Sequence, residues 1–298
     1  MSRAMCAATA RPTEGAVSWN ITTACNYRCS YCTQRFVDDR SRCAEDVPRF
    51  LAAFARLPGR WEVKLSGGEP LLHPELDALV AGLAGLGHRV SFVTNFSAPR
   101  GRLLALIDAA AGRVGVFSCS LHPEYVKDPA AFFAEAHWLA EELLRRHDAA
   151  LPRPSVSVSV VATRAMLPRL RALAAEATSA GLALKVQPEK QDRDVIAYSA
   201  EEQALILELG GHNGSGRIAH SLAGRPCWAG SRYFILDHRG RAHRCYPERR
   251  WRLRPVEDFL GPGFRLDDEP APCLYPYCNC TVPIARGMVP TGEPEGVR

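Results

Sequence analysis

Apolar, β-branched runs alternate with segments rich in Ala, Leu and Arg from residue 16 to residue 188. The apolar runs have the length and composition of buried β-strands, and helical periodicity follows each one. The predicted strands are Ala16–Thr23, Trp61–Leu65, Arg89–Thr94, Val114–Leu121, Ser155–Val161 and Leu182–Val186. The predicted helices are Glu45–Arg56, Pro74–Leu86, Gly101–Ala111, Pro129–His147 and Met166–Ala180.

Strands that alternate with helical crossovers predict a parallel sheet with right-handed connections. The units are too few for a closed eight-stranded barrel, so we predict an α/β fold: a partial (β/α)6 TIM-like barrel with a small Cys-rich C-terminal domain. Ligands of such folds bind at the carboxyl ends of the strands. We expect a flexible tail over residues 1–13, the core domain over 14–210 and the second domain over 211–298.

The pattern changes at Gly210–Gly216, a turn-rich segment that we interpret as a linker. A hairpin is predicted next, with strands Tyr233–Leu236 and Arg241–Cys245 joined by Asp237–Gly240. The remaining segment is rich in Pro and Cys and too short to build a large core. We therefore expect a metal cluster to stabilise it.

Composition and charge exclude several classes of protein. With 47% hydrophobic and 23% charged residues, the 298-residue chain is neither disordered nor fibrous. A net charge of +5, spread along the chain, argues against nucleic-acid binding. No apolar stretch approaches the roughly 20 residues of a membrane helix, and the N-terminus lacks the apolar region of a signal peptide. We expect a cytoplasmic protein without a membrane or nucleic-acid partner.

The chain contains 11 cysteines, an unusual number for a compartment in which disulfides are rare. Cys6, Cys43 and Cys119 are scattered. The others form two groups near opposite ends of the chain, which indicates two metal sites. The first group is Cys25, Cys29 and Cys32, and the second is Cys227, Cys245, Cys273, Cys278 and Cys280.

The first group lies on a loop directly after the first predicted strand. Thiolates spaced four and three residues apart, as in Cys25, Cys29 and Cys32, converge on one cuboidal iron–sulfur cluster and leave its fourth iron without a protein ligand. That iron is free to bind a small molecule through two atoms. A zinc knuckle that lacks its fourth ligand is the structural alternative.

This CxxxCxxC pattern, with Tyr31 before the third cysteine, resembles the radical S-adenosylmethionine (SAM) superfamily. The Ser66–Pro70 segment (SGGEP) ends the second strand and resembles the GGE motif with which that family binds the methionyl amino group. Thr94–Asn95 and Ser118–His122 end the next two strands, where the family also has site residues. The resemblance covers residues 14–190 and carries a specific combination of motifs.

The resemblance implies a SAM-binding [4Fe–4S] cluster on the three cysteines and SAM as a cosubstrate. The reduced cluster would give an electron to SAM, which would release methionine and a 5′-deoxyadenosyl radical that removes hydrogen from an unactivated C–H bond. An electron donor such as flavodoxin or ferredoxin is also implied. The residues expected to contact SAM are Tyr31, Gly67, Gly68, Glu69, Asn95, Ser120, Ser157 and Gln187. Ser and Asn at strand ends are also common turn formers.

In the second group, Cys227 precedes the Gly240–Cys245 turn by twelve residues, which resembles the start of a twitch/SPASM region. Five cysteines imply one auxiliary [4Fe–4S] cluster, with Cys227, Cys273, Cys278 and Cys280 as its ligands. The Cys-x4-Cys-x-Cys ending departs from the CxxC of the family. A zinc ribbon is the structural alternative.

A fully ligated cluster takes four thiolates, so one of these five is spare. A thiol beside a substrate radical is a good hydrogen-atom donor, because its S–H bond is weaker than the C–H bond that forms. Cys245 is our first choice for this catalytic donor, since it ends the hairpin and stands apart from the other three. The competing assignment makes Cys245 a ligand and leaves Cys273 or Cys280 spare. Cys119 is a third possibility, although a Cys in an apolar strand usually serves packing.

A compact radical SAM chain with one auxiliary cluster and a spare thiol is similar to the aminoglycoside epimerases of the superfamily. The resemblance implies inversion of one sugar C–H stereocentre of a neomycin-type aminoglycoside, in antibiotic biosynthesis. A polycationic sugar needs carboxylates around it. The candidates are Glu124, Asp128, Glu189, Asp192 and Asp194. The alternatives are an aminocyclitol or amino-sugar dehydrogenase, a radical SAM peptide epimerase or maturase, and a non-catalytic iron–sulfur or zinc protein.

Overall fold

The computed structural model of the protein describes residues 14–34, 36, 40–191, 194–209, 221–276, 278 and 286–289. The strands are β1 (Gly15–Thr22), β2 (Trp61–Gly67), β3 (Arg89–Thr94), β4 (Val114–Ser120), β5 (Ser155–Ala162), β6 (Ala183–Pro188), β7 (Lys190–Gln191), β8 (Asp194–Val195), β9 (Pro226–Cys227), β10 (Tyr233–Asp237), β11 (Arg241–His243), β12 (Glu257–Asp258) and β13 (Ala271–Pro272). The helices are α1 (Arg40–Phe54), α2 (Leu76–Gly85), α3 (Arg100–Ala109), α4 (Pro129–Arg145), α5 (Leu170–Ser179), α6 (Ala200–Glu208) and α7 (Tyr246–Trp251). Short 3-10 helices cover Pro70–Leu72 and Leu167–Arg169.

The main sheet has nine strands in the order β12-β11-β10-β1-β2-β3-β4-β5-β6. Strands β1 to β6 are parallel neighbours, and a helical segment connects each to the next. This arrangement confirms the predicted α/β fold with a parallel sheet of six strands, as in a partial TIM barrel. The carboxyl ends of the six strands therefore lie along one edge of the sheet.

Alternating side chains give the sheet two different faces. Residues such as Val17, Val63 and Val158 belong to the large core that packs against the helices. The opposite face, called the inner face below, is polar. Paired positions form two rows across it, one containing Ser18, Lys64 and Ser91 and the other Ser120, Ser159 and Lys185.

The predicted C-terminal hairpin is confirmed, with strands β10 and β11. It extends the main sheet, because β10 pairs in parallel with β1 and aligns Tyr233 with Ala16. Phe234 and Phe259 belong to the same core as the helices. The predicted tail over residues 1–13 and the predicted linker Gly210–Gly216 lie outside the described residues, and the division into domains stays a prediction.

Three helices differ from the sequence-based expectation, and one of them, α7, was not predicted. Helix α1 begins at Arg40, five residues before the predicted start, and accommodates Pro48 in its interior. Helix α6 was also not predicted, although Ser199 and Glu202 form a capping box at its start. Among the helices that the structure describes, none is long and apolar enough to cross a membrane.

Candidate active site

The glycine turn after β2 lies directly against the chain that leaves β1. The Gly68 N–H donates to the Thr22 carbonyl and the Glu69 N–H to the Ala24 carbonyl, both at 2.8 Å. A Cβ atom on Gly68 would lie 2.1 Å from the Ala24 carbonyl oxygen, and one on Gly67, where φ is +135°, 2.2 Å from that of Thr22. Only glycine fits this approach, which attaches the SGGEP turn to the start of the cysteine loop.

Glu69 connects the carboxyl ends of β2 and β3. Its carboxylate accepts from the Thr94 hydroxyl at 2.7 Å, the Asn95 N–H at 2.7 Å and the Leu71 N–H at 3.0 Å. The side chain is only 2% exposed, and burial raises its pKa while the three hydrogen bonds oppose that shift. These contacts hold the turn in place. The expected bond from Glu69 to the SAM ammonium group stays a prediction.

Asn95 continues this connection to the cysteine loop. Its amide nitrogen donates to the Asn26 side-chain oxygen at 2.7 Å, and the Asn26 amide donates to the Ser97 hydroxyl at 2.9 Å. Asn26 directly follows Cys25, so the end of β3 positions the first cysteine of the motif.

The three cysteines of the loop differ in exposure. Cys25 and Cys29 are half-buried and Cys32 is exposed. Burial raises the pKa of Cys25, and it raises that of Cys29 to about 11. The Cys29 sulfur lies 3.3 Å from His122 Nδ1, and the Tyr31 hydroxyl lies 2.8 Å from the same nitrogen. Burial lowers the pKa of His122.

The turn after β4 holds the cysteine loop from a second side. The Ser30 N–H donates to the Glu124 carboxylate at 3.0 Å, and the Ser30 hydroxyl donates to it as well. The Arg28 N–H donates to the Tyr125 hydroxyl at 2.6 Å. The Tyr27 and Tyr125 rings stack, with centroids 4.0 Å apart and an angle of 4° between their planes. The geometry of the loop therefore depends on a distant segment of the chain.

Two of the carboxylates expected to hold substrate have partners within the chain, and their contact with substrate stays a prediction. Glu124 is engaged by Ser30, and Asp128 caps helix α4 by accepting from the Ala131 N–H at 3.0 Å. Glu189 follows the end of β6 and is partly buried. Asp192 and the side chain of Asp194 lie outside the described residues.

Three other residues expected to contact SAM, Ser120, Ser157 and Gln187, lie on the inner face at different distances from the carboxyl ends of their strands. Ser120 ends β4, and its hydroxyl lies 3.4 Å from that of Ser159. Gln187 lies next to the last residue of β6. Ser157 is the third residue of β5, so the expectation that it projects from a strand end is wrong. Within the described residues, no hydrogen bond connects Ser120, Ser157 or Gln187 to the cysteine loop.

The structure brings four thiols of the second group together. Strand β9, which ends at Cys227, pairs with β13, which precedes Cys273. The Cys273 N–H donates to the Arg225 carbonyl at 2.9 Å. Cys245 is buried, and its pKa is raised by burial first and then by the charges of Cys278, Cys227 and Cys273. Cys280, an expected ligand, lies outside the described residues.

The two thiol groups lie at opposite ends of the sheet. Cys25 follows the carboxyl end of β1, whereas β10 and β11 return the chain so that Cys245 lies beyond the amino end of the same strand. At about 3.3 Å per residue, the length of β1 separates them by roughly 20 Å. The inner face extends between them.

Both thiol groups have the donor chemistry of iron–sulfur ligands, because cysteine thiolates hold such clusters. The second group also lies beside a buried cation: Nη1 of Arg244 has no hydrogen-bond partner. These observations fit a negatively charged cluster at that position. Among the described residues, no three His, Cys, Asp or Glu side chains are arranged to hold a single metal ion.

Comparison with known proteins agrees with this geometry. The family model of the Radical SAM superfamily matches residues 19–158. A GTP 3′,8-cyclase of Stenotrophomonas maltophilia is 39% identical over 82 residues, which cover 26% of this chain and 25% of the relative. That of Acidothermus cellulolyticus is 37% identical over 115 residues, or 35% of this chain and 32% of the relative. The match thus spans a third or less of these curated relatives.

Solved structures share the fold at low sequence identity. The crystal structure of Streptococcus suis SuiB bound to S-adenosylmethionine aligns with a TM-score of 0.56 and 13% identity, over 84% of this chain and 61% of SuiB. Native anSMEcpe with bound AdoMet and Cp18Cys peptide aligns with a TM-score of 0.50 and 14% identity, over 79% of this chain and 74% of that protein. The radical SAM family implies a [4Fe–4S] cluster and SAM as cofactors. Residues 19–158 thus match the Radical SAM superfamily, and the solved structures show that the fold is shared.

Proposed function

We propose that this protein is a radical SAM oxidoreductase with a second [4Fe–4S] cluster, held by Cys227, Cys245, Cys273 and Cys278. The observation that carries the proposal is the grouping of Cys245 with the other three thiols: Cys227, Cys245 and Cys278 belong to one buried group of side chains, and Cys273 packs against it. Four thiols complete the ligand set of a cubane cluster. This grouping supports the assignment of Cys245 as a ligand over its assignment as a hydrogen-atom donor.

At the first site, Cys25, Cys29 and Cys32 hold the SAM-binding cluster. When bound, the cluster and SAM supply a 5′-deoxyadenosyl radical that removes a hydrogen atom from a substrate C–H bond. The Gly67–Gly68 turn packs directly on the backbone of Thr22 and Ala24 and so fixes the end of β2 beside the cysteine loop. Tyr31 lies on the cysteine loop and Asn95 at the end of β3. The Tyr31 hydroxyl contacts His122, and the Asn95 side-chain amide donates to Asn26.

The proposed reaction is a two-electron oxidation of the substrate. The substrate loses one hydrogen atom to the radical, which becomes 5′-deoxyadenosine, and then gives up one electron and one proton. The electron passes toward the second thiol group and the proton passes to solvent. The product is therefore two hydrogens lighter than the substrate and contains no hydrogen from solvent.

The inner face includes two partly buried lysines, Lys64 and Lys185, each in a row with serine hydroxyls. Two carboxylates expected to hold a polycationic sugar, Glu124 and Asp128, have partners within the chain. A nucleotide, as in the name of the GTP 3′,8-cyclases, and a peptide, as in the anSMEcpe complex, are therefore candidate substrates beside an aminoglycoside.

Aminoglycoside epimerisation is the second candidate, because the chain has a fifth thiol in this group. With Cys245 as a ligand, Cys280 is the spare thiol that could return hydrogen to a substrate radical. With Cys280 as a ligand, Cys245 keeps the donor role. Either assignment predicts a product of unchanged composition with one hydrogen taken from the exchangeable thiol.

The test combines iron analysis with a reaction in deuterium oxide. We expect about eight iron atoms per chain after anaerobic reconstitution, the content of two cubane clusters. The enzyme is then incubated with SAM, reductant and either GTP, a peptide library or neomycin C. A product two mass units lighter and free of deuterium supports the oxidoreductase, whereas one deuterium at an inverted carbon supports the epimerase. SAM cleavage with only about four iron atoms would contradict the second cluster. Cys25→Ala, which removes a ligand of the first cluster, is the negative control.

A further inference from the structure

Arg244 places a fixed positive charge beside the second thiol group. Its side chain is 9% exposed, and it directly precedes Cys245. Its Nη2 donates to the Cys227 carbonyl at 2.9 Å and to the Ala271 carbonyl at 2.8 Å. These two residues are partners in the β9–β13 pair. The backbone therefore holds the guanidinium in one position next to Cys227.

No ion pair joins Arg244 to an Asp or Glu in the part of the chain that the structure describes, and its Nη1 is buried without a hydrogen-bond partner. Glu248 lines the same small cavity. Its Oε1 accepts from the Arg254 N–H at 2.8 Å, and its Oε2 is buried without a hydrogen-bond partner. A buried cation is strongly unfavourable unless an anion or several hydrogen bonds compensate it.

A cluster on the neighbouring thiols would supply an anion beside this guanidinium. Cys227, Cys245 and Cys278 belong to one buried group of side chains against which Cys273 packs, and Arg244 is hydrogen-bonded directly to the backbone of Cys227. Four thiolates around an iron–sulfur core carry a net negative charge, and one-electron reduction adds another. Nearby charge is one of the factors that set the potential of such clusters.

We propose that Arg244 is a positioning residue for the second cluster and that its fixed charge raises the cluster's reduction potential. A higher potential makes the site a better acceptor for the electron that the oxidised substrate gives up. This inference rests on the proposed function, because it requires a cluster on Cys227, Cys245, Cys273 and Cys278.

The test measures that potential without interference from the first cluster. In the full-length chain, Cys25, Cys29 and Cys32 are replaced by Ala, so that bound iron reports on the second cluster alone. Arg244→Gln, Arg244→Lys and Arg249→Gln are made in this background and titrated under anaerobic conditions with detection by electron paramagnetic resonance. Arg249 is an exposed arginine five residues further on and serves as the matched control.

We expect Arg244→Gln to lower the equilibrium constant for one-electron reduction at least tenfold, which is about 59 mV. Arg244→Lys, which keeps the charge, and Arg249→Gln should stay within about threefold of the parent, or about 30 mV. The role of charge would also be supported if Arg244→Gln loses its iron while Arg244→Lys keeps its iron and has the same potential as the parent.

Two results would overturn the inference. One is an unchanged potential in Arg244→Gln with full iron content. The other is equal loss of iron in the Gln and Lys variants, because the backbone hydrogen bonds and not the charge would then be essential. Absence of iron from the triple-Ala parent would instead contradict the second cluster, and with it the proposed function.

Discussion

His122 Nδ1 lies 3.3 Å from the sulfur of Cys29, although the two residues are 93 positions apart in the chain. The imidazole comes from the turn after β4, and the thiol from the loop after β1. Hydrogen bonds to ligand sulfurs affect both the affinity and the potential of iron–sulfur clusters. The same nitrogen contacts the Tyr31 hydroxyl, so one side chain positions two residues of the cysteine motif.

Replacement of His122 by Ala should therefore weaken the first cluster. We expect 5′-deoxyadenosine formation to slow roughly 10–100-fold, with a lower potential of the SAM-binding cluster. Rates are measured by chromatography of the products and potentials by anaerobic titration. His137→Ala, on an exposed face of α4, is the control. Equal rates and potentials in the two variants would show that the contact with Cys29 has no functional role.

Gly68→Ala should disrupt the attachment of the SGGEP turn to the cysteine loop. The added Cβ would lie 2.1 Å from the Ala24 carbonyl oxygen, so the backbone must move. We expect a loss of about 1–3 kcal/mol in the free energy of unfolding and weaker SAM binding, measured by denaturant titration and calorimetry. Gly85→Ala, in α2 with open space at its Cβ, should be neutral or stabilising. Normal SAM affinity in Gly68→Ala would contradict the proposal that the SGGEP turn positions the cysteine loop for SAM binding.

Glu124→Gln should loosen the cysteine loop without removing a cluster ligand. The carboxylate accepts from both the N–H and the hydroxyl of Ser30, and a neutral amide makes weaker bonds of this kind. We expect a loss of about 0.5–1 kcal/mol in the free energy of unfolding and a lower iron content, determined by denaturant titration and colorimetric analysis. Glu176→Gln, at an exposed position of α5, should change neither. If Glu124 instead binds substrate, the KM for substrate rises while the iron content stays normal.

Cys245→Ala distinguishes the two assignments of this thiol. If Cys245 is a ligand, the iron content should fall from about eight to about four atoms per chain, while SAM cleavage continues. Cys119→Ala is the matched control, because Cys119 is fully buried in the apolar core of β4. Full iron content in Cys245→Ala, together with loss of an inverted product, would favour the donor role and the epimerase.

His88 should make folding stability dependent on pH. The side chain is 3% exposed, and burial lowers its pKa below the ordinary value of 6.5. The unfolded chain therefore binds a proton first as the pH falls, so the stability present above the unfolded pKa is lost as the pH falls through the folded pKa. Between about pH 7 and pH 5, wild type should lose stability relative to His88→Gln in denaturant titrations. His137→Gln should show no such difference, and parallel pH profiles for wild type and His88→Gln would contradict the prediction.

The parallel sheet and most of its helices were predictable because their signals are local. Periodicities of two and 3.6 residues are visible in neighbouring positions. The ends predicted from them for β1 to β6 lie within one or two residues of the observed ends. Ser157 is the third residue both of the predicted strand and of β5, so its expected place at a strand end did not follow from the strand pattern.

The sequence by itself identified the motifs of the first site and the chemistry that they predict. The spacing of Cys25, Cys29 and Cys32 and the SGGEP turn are contiguous motifs, so their identity does not depend on packing. Only the tertiary structure decided which distant residues surround them: His122 beside Cys29, Glu124 on Ser30, and Cys245 with three other thiols. The physical reason is that strand register and long-range packing bring these groups together. Such contacts depend on the whole fold, and no local pattern encodes them.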